Sequence, residues 1–339
     1  MKEIRSSPEI DFLLSPRTIR ERSKKIFELA KLGKTHFRVR LERLRGAADY
    51  VREVICEHYP DLKIPLHSRW SHFQVGTQGT EVNRLSALEQ QLAGLPTRER
   101  LASRLDLVTV SVLLDAGAGD SWHFDESKAK TPFSAGQYNR SEGLAIASLH
   151  LFLKGALSSD PTHPCQVDSA GLRNLLEETL RVGLQVSPSN EMMGFTGRFE
   201  LLRALGDVLA QGLPHFPSQR PSSLLAWTQG EGNSPGTAPV IAERLLRGVL
   251  LGLGPLWPGR IWREGINLGD TWSHPLLGPH GSFESLVPFH KLSQWLTYSL
   301  LDVMSRADIP ISGLAELTGL AEYRNGGLFL DLGVLELRN

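Results

Sequence analysis

The chain has 339 residues, enough for one large domain or two closely packed ones with a sizeable apolar core. Lys and Arg together number 37, as do Asp and Glu, and this zero balance argues against dedicated binding of duplex DNA or RNA. The only two cysteines, Cys56 and Cys165, are far apart in sequence, which excludes a disulfide framework and a CxxC zinc site.

The two cysteines also favour a reducing compartment. The first 14 residues lack the apolar core of a signal peptide. The longest apolar stretch, around residues 245–257, is interrupted by Arg247 and is too short to cross a bilayer. We therefore expect a cytoplasmic protein with no membrane or nucleic-acid partner. One domain over residues 1–339 is expected because the polar segments around residues 115, 142, 290 and 324 need one common core to meet.

The first third of the chain predicts helices separated by one irregular segment. Residues 15–59 carry apolar side chains at helical spacing and predict two helices, the first with Ser15 as its cap and Pro16 at its first position. Residues 63–79 alternate aromatic and polar side chains, which fits a lid over a pocket or a packed surface loop. Residues 97–105 predict a further helix.

That helix leads into the segment DLVTVSVLLDAGAGDSW at residues 106–122, around which the chain is organised. Its apolar run stops at Asp115, and four small residues follow. One interpretation is a buried element whose terminal carboxylate faces a cavity beside glycine backbone. The other is an ordinary helix end, with Gly117 as the C′ cap and Asp115 in solvent. The β-branched residues 108–112 leave a small sheet possible.

The remainder of the chain is also mostly helical in pattern. Helices are predicted within residues 141–152, 169–186, 197–211, 222–228, 239–253, 287–304 and 313–318. Loops are expected at residues 158–167 and 229–236. Residues 328–337 fit a terminal helix or a hairpin that turns at Gly333. The predicted fold class is therefore mainly α, with long loops and at most a small sheet.

Residues 254–281 form the longest irregular section and contain Trp257, Trp262 and Trp272. Loops of this length are usually functional or disordered, and three tryptophans argue against disorder. We interpret the section as a folded flap that covers a ligand. Eleven histidines are present, but none forms an HxH, HxxH or HExxH pattern, and no GxSxG or GxGxxG motif occurs. No metal and no cofactor is predicted.

Five segments of the chain resemble one family along nearly its whole length. They read LLDAGAGDSW, NRSEGLAIASLHLF, GRFELLRALG, FHKLSQWLTYSLLDV and GLAEYRNGGLFLDLGVL. These segments resemble the uracil-catabolism protein family, also catalogued as the domain of unknown function DUF1688. The resemblance implies a part in a pyrimidine-degradation route that proceeds through ribosylated, ring-opened intermediates and releases urea.

The order of the motifs is also similar to that of queuosine 5′-monophosphate N-glycosylases, which share a helical architecture with DNA glycosylases. The corresponding segments are residues 113–122, 141–152, 291–294, 322–324 and 332–335. Two departures are evident. Glu322 stands where that family has Asp, and KLSQ keeps only Lys291 and Gln294 of its KRAQ motif. This resemblance implies a DNA-glycosylase-like helical architecture and cleavage of an N-glycosidic bond.

Such cleavage passes through an oxocarbenium-like sugar and needs a carboxylate beside the anomeric carbon, together with a proton donor for the leaving group. Asp115 and Glu322 are the predicted catalytic carboxylates. Arg324 is expected to bind a 5′-phosphate or to pair with Glu142 or Asp115. The predicted substrate-binding residues are Trp122, Arg140, Glu142, His290, Gln294, Tyr323 and Arg324. Each has a structural alternative: Glu142, for example, also suits a helix N-terminus.

Two hypotheses follow. In the first, the protein is an N-ribosyl hydrolase, and its substrate is a ribosylated ring-opened uracil intermediate such as ribosylurea or its phosphate. In the second, it is a non-catalytic nucleoside- or nucleotide-binding or scaffold protein of the same pathway. The leaving group and the phosphorylation state of the ribose stay open. The first hypothesis expects the named residues to converge on one pocket, capped by residues 257–272.

Overall fold

The computed structural model describes residues 6–129, 133–230, 238–257 and 259–338. Helices provide most of its regular structure. They are α1 Pro8–Leu13, α2 Pro16–Lys31, α3 Leu44–His58, α4 Arg69–His72, α5 Leu85–Leu92, α6 Thr97–Leu113, α7 Arg140–Leu153, α8 Ser169–Arg173, α9 Glu177–Gly183, α10 Phe195–Ala210, α11 Leu224–Gln229, α12 Ala242–Leu253, α13 Lys291–Ser305 and α14 Tyr323–Asp331.

The strands are two or three residues long and form small two-stranded sheets. They are β1 Phe37–Val39, β2 Phe124–Asp125, β3 Gln137–Tyr138, β4 Val240–Ile241, β5 Trp262–Arg263, β6 Ile266–Asn267, β7 Thr271–Ser273, β8 Leu286–Pro288, β9 Ile311–Ser312 and β10 Leu335–Leu337. The pairs are β1–β10, β2–β3, β5–β6 and β7–β8, all antiparallel, and the parallel pair β4–β9. The mainly α class is confirmed. The DNA-glycosylase-like architecture stays a prediction.

The chain divides into two compact units. The first consists of His67–Pro258 and Trp295–Leu314, and the second of Ser6–Leu66, Gly259–Gln294 and Ala315–Asn339. The family domain predicted over residues 1–339 stays a prediction. Within the described residues, no helix is both long and apolar enough to cross a membrane.

The core of the first unit is built on α6 and α7, which pack against each other. Every residue of α6 from Leu105 to Leu113 is buried, as is every residue of α7 from Gly143 to Phe152. Asp106 is the buried charge in this run. It accepts hydrogen bonds from Arg220 Nε (2.9 Å) and from the backbone N–H of Ser222 (2.9 Å). These partners offset its desolvation only in part, and burial raises its pKa.

The second unit contains the N-terminal helices α1 and α2 and the small sheet formed by β1 and β10. Ser15 caps α2 by accepting from the Thr18 N–H, as predicted, and Pro16 is its first residue. Strand β1 pairs with β10, so that Phe37 lies opposite Leu337. The prediction that helical periodicity continues through residues 37–39 is therefore wrong, because a strand partner from the other end of the chain satisfies this backbone.

The terminal segment differs from both of its predicted forms. Helix α14 ends at Asp331, Gly333 adopts φ = +68°, and β10 then pairs with β1 rather than with its own neighbour. A glycine tolerates this positive φ without the steric cost of a side chain. Residues 328–337 are consequently neither one helix nor a hairpin.

Three further boundaries differ from the predictions, and the sheet left possible at residues 108–112 is not formed. The β-branched residues 108–112 are helical, because their helix is buried on all sides and needs no polar face. The predicted helix at residues 169–186 is broken into α8 and α9. The helix predicted from residue 287 begins at Lys291, after β8, and β4 occupies the start of the segment predicted as helix from residue 239. Residues 231–236 of the predicted loop lie outside the described residues.

Candidate active site

Asp115 is the first residue beyond the C-cap of α6, Leu114. Its side chain is only 11% exposed. The helix does end here, as the second interpretation required, but Asp115 is not in solvent and the positive φ belongs to Gly119 (+81°) rather than to Gly117. The carboxylate is therefore held by the protein at the end of a buried helix.

Arg198, a buried arginine of α10, fixes the C-terminal end of α6. It donates from Nε to the carbonyl oxygen of Leu114 (3.0 Å) and from Nη2 to that of Ala116 (2.7 Å). The Leu114 carbonyl also accepts from the Ala116 N–H (3.0 Å), and a cation near this end matches the negative end of the helix dipole. The backbone on both sides of Asp115 is thus held in place.

The partner of Asp115 is Arg69, whose side chain is fully buried. Arg69 Nη2 lies 2.6 Å from Asp115 Oδ2. This is a close ion-pair contact, although the N–H groups of Nη2 and Nε are not directed at an acceptor. Burial lowers the pKa of Arg69, and the charges of Asp115 and Glu142 oppose that shift. Arg69 is therefore the cation that pairs with Asp115 within the first unit, and the predicted pairing of Arg324 stays a prediction.

Ser141, in the first turn of α7, completes this arrangement. Its hydroxyl lies 3.0 Å from each Asp115 carboxylate oxygen, and its carbonyl accepts from Arg69 Nη1 at 2.7 Å. The Arg69 guanidinium also lies over the ring of Trp295, 4.7 Å from the centroid. We call Arg69, Asp115 and Ser141 the Asp115 cluster. Its contacts fix both the position and the orientation of the carboxylate.

His72 lies one turn after Arg69 on α4. Its Nδ1 is 3.1 Å from the carbonyl oxygen of Ser68, so Nδ1 carries the proton and Nε2 carries the lone pair. Burial lowers the pKa of His72, and the positive charge of Arg69 lowers it further. Its ring packs edge-on against Trp295. His72 is thus neutral at pH 7 and is able to accept a proton at Nε2.

Part of the segment at residues 63–79, predicted as a lid or a packed surface loop, is buried in the first unit. Residues Arg69, Trp70 and Phe73 of the segment predicted as a lid or a surface loop are buried, because the segment forms the short helix α4 inside the first unit. Arg69 belongs to the Asp115 cluster, whereas Ser71 of the same helix is exposed to solvent. A surface loop is therefore wrong for most of residues 69–73, which form a largely buried short helix, and a lid over a pocket stays a prediction.

Three other predicted site residues lie in the first unit. Trp122 is fully buried and donates its indole N–H to the carbonyl oxygen of Leu184 (2.9 Å), so its ring offers no accessible face for stacking. Arg140 is exposed at the first position of α7, and Glu142 is half-buried in the same turn. Glu142 is close enough for its charge to act on both Arg69 and His72.

Glu322 lies in the second unit and acts as a helix cap. It is the N-cap of α14, and its carboxylate lies 2.9 Å from Lys291 Nζ and accepts from the Arg324 N–H at 3.4 Å. The hydrogen bond from Lys291 lowers the pKa of Glu322. Tyr323 is 75% exposed, and Lys291 and Arg324 both lie over its ring. Glu322 therefore already has a structural role that needs no substrate.

His290 and Gln294 are completely buried in the second unit. His290 donates from Nε2 to the carbonyl oxygen of Leu13 (3.0 Å), and burial lowers its pKa. Gln294 Oε1 accepts from the N–H (3.1 Å) and the hydroxyl (2.8 Å) of Thr318. Both side chains join separate segments of the second unit. In the described structure they are structural contacts rather than accessible ligand groups.

The predicted site residues are thus divided between the two units. Asp115, Trp122, Arg140 and Glu142 belong to the first, whereas His290, Gln294, Glu322, Tyr323 and Arg324 belong to the second. Their convergence on one pocket stays a prediction. The section predicted as a flap contains the β5–β6 hairpin, and its Trp262 and Trp272 are about half exposed. Its role as a cover over a ligand also stays a prediction.

Comparison with known proteins places the chain in a family. The family model described as "Protein of unknown function (DUF1688)" matches residues 12–339. The chain belongs to this family. It is 39% identical over 340 residues to "Protein urg3" of Schizosaccharomyces pombe, covering 98% of this chain and 78% of that protein. It is 34% identical over 344 residues to "Uracil catabolism protein 4" of Lachancea kluyveri, covering 97% of this chain and 76% of that protein.

In this DUF1688 member, the sequence interpretation identified Asp115 but not the residues that hold it. Arg69, His72 and Ser141 were not among the predicted site residues. The available signal was the segment HSRWSH at residues 67–72, which combines two histidines, an arginine and a tryptophan. The pairing itself is not visible in the sequence, because α4, α6 and α7 meet only in the folded unit.

Proposed function

We propose that this protein acts in uracil catabolism as an N-ribosyl hydrolase, and that its substrate is a ribosylated ring-opened intermediate such as ribosylurea or its phosphate. The printed name of one relative, "Uracil catabolism protein 4", supports the pathway. The reaction is supported by one observation: Asp115 is a nearly buried carboxylate that a buried arginine and a serine hydroxyl hold in a fixed position.

The proposed reaction adds water across the N-ribosyl bond. The oxygen of water bonds to the anomeric carbon while the C–N bond breaks, and its electron pair goes to the nitrogen, which takes up a proton. The products are the free sugar, or sugar phosphate, and urea. Positive charge develops on the sugar in the transition state, and a preorganised carboxylate in a poorly screened environment stabilises it. Asp115 has this role in the proposal.

His72 is the proposed base. Its neutral imidazole has the lone pair on Nε2, and its charge state responds to Arg69, Asp115 and Glu142, which places it in the same electrostatic environment. In the proposal it takes a proton from the attacking water as the new C–O bond forms. Glu142, half-buried at the start of α7, is the proposed acceptor for ribose hydroxyl groups.

The test is direct. The purified protein is incubated with uridine, uridine 5′-monophosphate, ribosylurea and ribosylurea 5′-phosphate, and released ribose, ribose phosphate and urea are measured. We expect turnover of one of the two urea derivatives. If these compounds bind without turnover, the non-catalytic binding protein replaces the hydrolase.

Two amide variants locate the carboxylate. Asp115→Asn keeps the side-chain shape but removes the charge, and we expect kcat/KM to fall by roughly 100- to 1,000-fold, by analogy with the loss of one preorganised electrostatic contact. Glu322→Gln, at the cap of α14, should retain activity within about threefold, because the change affects only a helix cap and the ion pair with Lys291. Circular dichroism and binding of ribose 5-phosphate establish that the Asn variant is folded. Full activity of a folded Asp115→Asn protein would overturn the assignment.

A further inference from the structure

A cavity of about 420 Å³ lies in the first unit, away from the Asp115 cluster. Its wall includes His150, Phe124, Lys128, Lys154 and Asn190, and we call it the His150 cavity. His150 lies nine residues after Ser141 on α7, which corresponds to roughly 13 Å along the helix axis. The volume is within the range of pockets that bind small molecules.

A buried carboxylate beneath the cavity orients His150. Glu126 is fully buried and accepts from both Nε and Nη2 of Arg84 at 2.7 Å, from the Ser134 hydroxyl, and from His150 Nε2 at 3.0 Å. Burial opposes ionisation of Glu126, but the hydrogen bonds from Arg84, His150 and Ser134 outweigh it and lower its pKa to about 2. The carboxylate is therefore a permanent acceptor beneath the imidazole.

This contact determines which ring nitrogen faces the cavity. Because His150 Nε2 donates its proton to Glu126, the neutral ring has its lone pair on Nδ1. No described residue donates a hydrogen bond to Nδ1. A buried nitrogen without a partner would be an unsatisfied polar atom, and Nδ1 is not one of these, so it is accessible. The rings of Phe124 and Phe133 pack around the imidazole, with centroids 5.5 Å away. A held acceptor nitrogen thus opens onto the cavity.

The wall of the cavity carries positive charge and is held by hydrogen bonds on one side. Asn190 donates to the carbonyl oxygens of His123 (2.9 Å) and Gln185 (2.7 Å), which fixes one side. Two of the wall residues are lysines, and none of the described residues lining the cavity is Asp or Glu. Lys128 is paired with Asp125 at 3.1 Å, whereas Lys154 forms no ion pair with a described residue. The wall therefore favours an anion.

We propose that the His150 cavity is a binding site for a small organic anion, a carboxylate or a phosphate, that also carries an O–H or N–H donor. Lys154 faces the anionic group, and His150 Nδ1 accepts the hydrogen bond from the donor. The site is independent of the proposed hydrolysis at Asp115.

Calorimetric titration tests this site. The probes are glycerol 3-phosphate and 3-hydroxypropanoate, and their uncharged counterparts are glycerol and 1,3-propanediol. We expect saturable binding of at least one anion and none of the uncharged compounds. Lys154→Ala should weaken binding of the anion by about tenfold, as expected for loss of one charged contact. Lys34→Ala, which removes an exposed lysine of the second unit, is the matched control and should bind like the wild type.

A second pair of measurements isolates His150. Methyl phosphate has the charge of glycerol 3-phosphate but no donor, so the wild type should bind it more weakly. His150→Phe should bind the two phosphates equally, because the acceptor nitrogen is gone. The proposal is overturned if neither anion binds, if the uncharged compounds bind as well as the anions, or if Lys154→Ala retains wild-type affinity. Since Lys154 is exposed, Lys154→Ala keeps the test valid even if His150→Phe fails to fold.

Discussion

Arg69 and Asp115 form an ion pair of 2.6 Å in which the arginine side chain is completely buried. Removing one member of such a pair leaves an uncompensated charge inside the protein, and that is far more costly than the pair itself is stabilising. The pair therefore makes a prediction about stability that does not depend on any reaction.

Arg69→Met should lower the free energy of unfolding by about 3–5 kcal/mol, because it leaves Asp115 without its cation. The double variant Arg69→Met/Asp115→Leu should recover part of that loss, since neither member of the pair is then left as an unpaired buried charge. Urea denaturation monitored by circular dichroism measures both. Arg17→Met is the control: Arg17 is 76% exposed in its pair with Glu21, and its loss should change stability by less than about 1 kcal/mol. A double variant no more stable than Arg69→Met would contradict the argument.

Replacing glycine by alanine should have opposite effects on stability at two helical positions, Gly143 and Gly197. A Cβ at Gly143 of α7 would lie 2.5 Å from the carbonyl oxygen of Tyr138 and 3.0 Å from the Trp122 ring, so Gly143→Ala should destabilise by roughly 1–3 kcal/mol. A Cβ at Gly197 of α10 meets nothing within 4 Å, so Gly197→Ala should stabilise by about 0.5–1 kcal/mol through helix propensity. Thermal unfolding of the two variants compares them. Equal shifts of Tm would refute the packing argument.

The ionised Glu126 should make the protein more stable at neutral pH than at acidic pH. Its pKa is lowered from 4.5 to about 2 in the folded protein, so its stabilising contribution is complete above pH 4.5 and is lost as pH falls toward about 2. Glu126→Gln should therefore be less stable than the wild type by on the order of 3 kcal/mol at pH 7, and the difference should shrink between pH 4.5 and 2. Urea unfolding at several pH values measures this difference. Glu28→Gln, at an exposed pair, should show no such trend.

Protonation of His72 should determine how kcat/KM falls at acidic pH. Its pKa is lowered by burial and by Arg69, so the neutral imidazole persists below the ordinary pKa of about 6.5. The hydrolysis proposed above should therefore keep its kcat/KM at pH 6.5 and lose it only at lower pH. In His72→Gln this limb should disappear along with most of the activity. A limb unchanged in His72→Gln would exclude His72 as the base.

Local sequence features determined much of the secondary structure. Helical spacing predicted α2, α7 and α10, and Ser15 followed by Pro16 predicted where α2 begins, because capping and periodicity depend on residues a few positions apart. The mainly α class and the family also followed from the sequence, as did the choice of Asp115 as a carboxylate of interest. These are properties of short segments and of recognisable motifs.

The partners of those segments were decided only by the tertiary structure. Periodicity shows that a helix has a buried face but not what covers it, so Trp122 was expected to stack on a substrate and is instead a core residue. Strand β1 depends on β10 at the opposite end of the chain, and Asp115 depends on Arg69, which no spacing rule connects to it. Such contacts are stabilised by burial and by charge pairing between segments that are distant in sequence. Which segments meet is determined only by the folded structure.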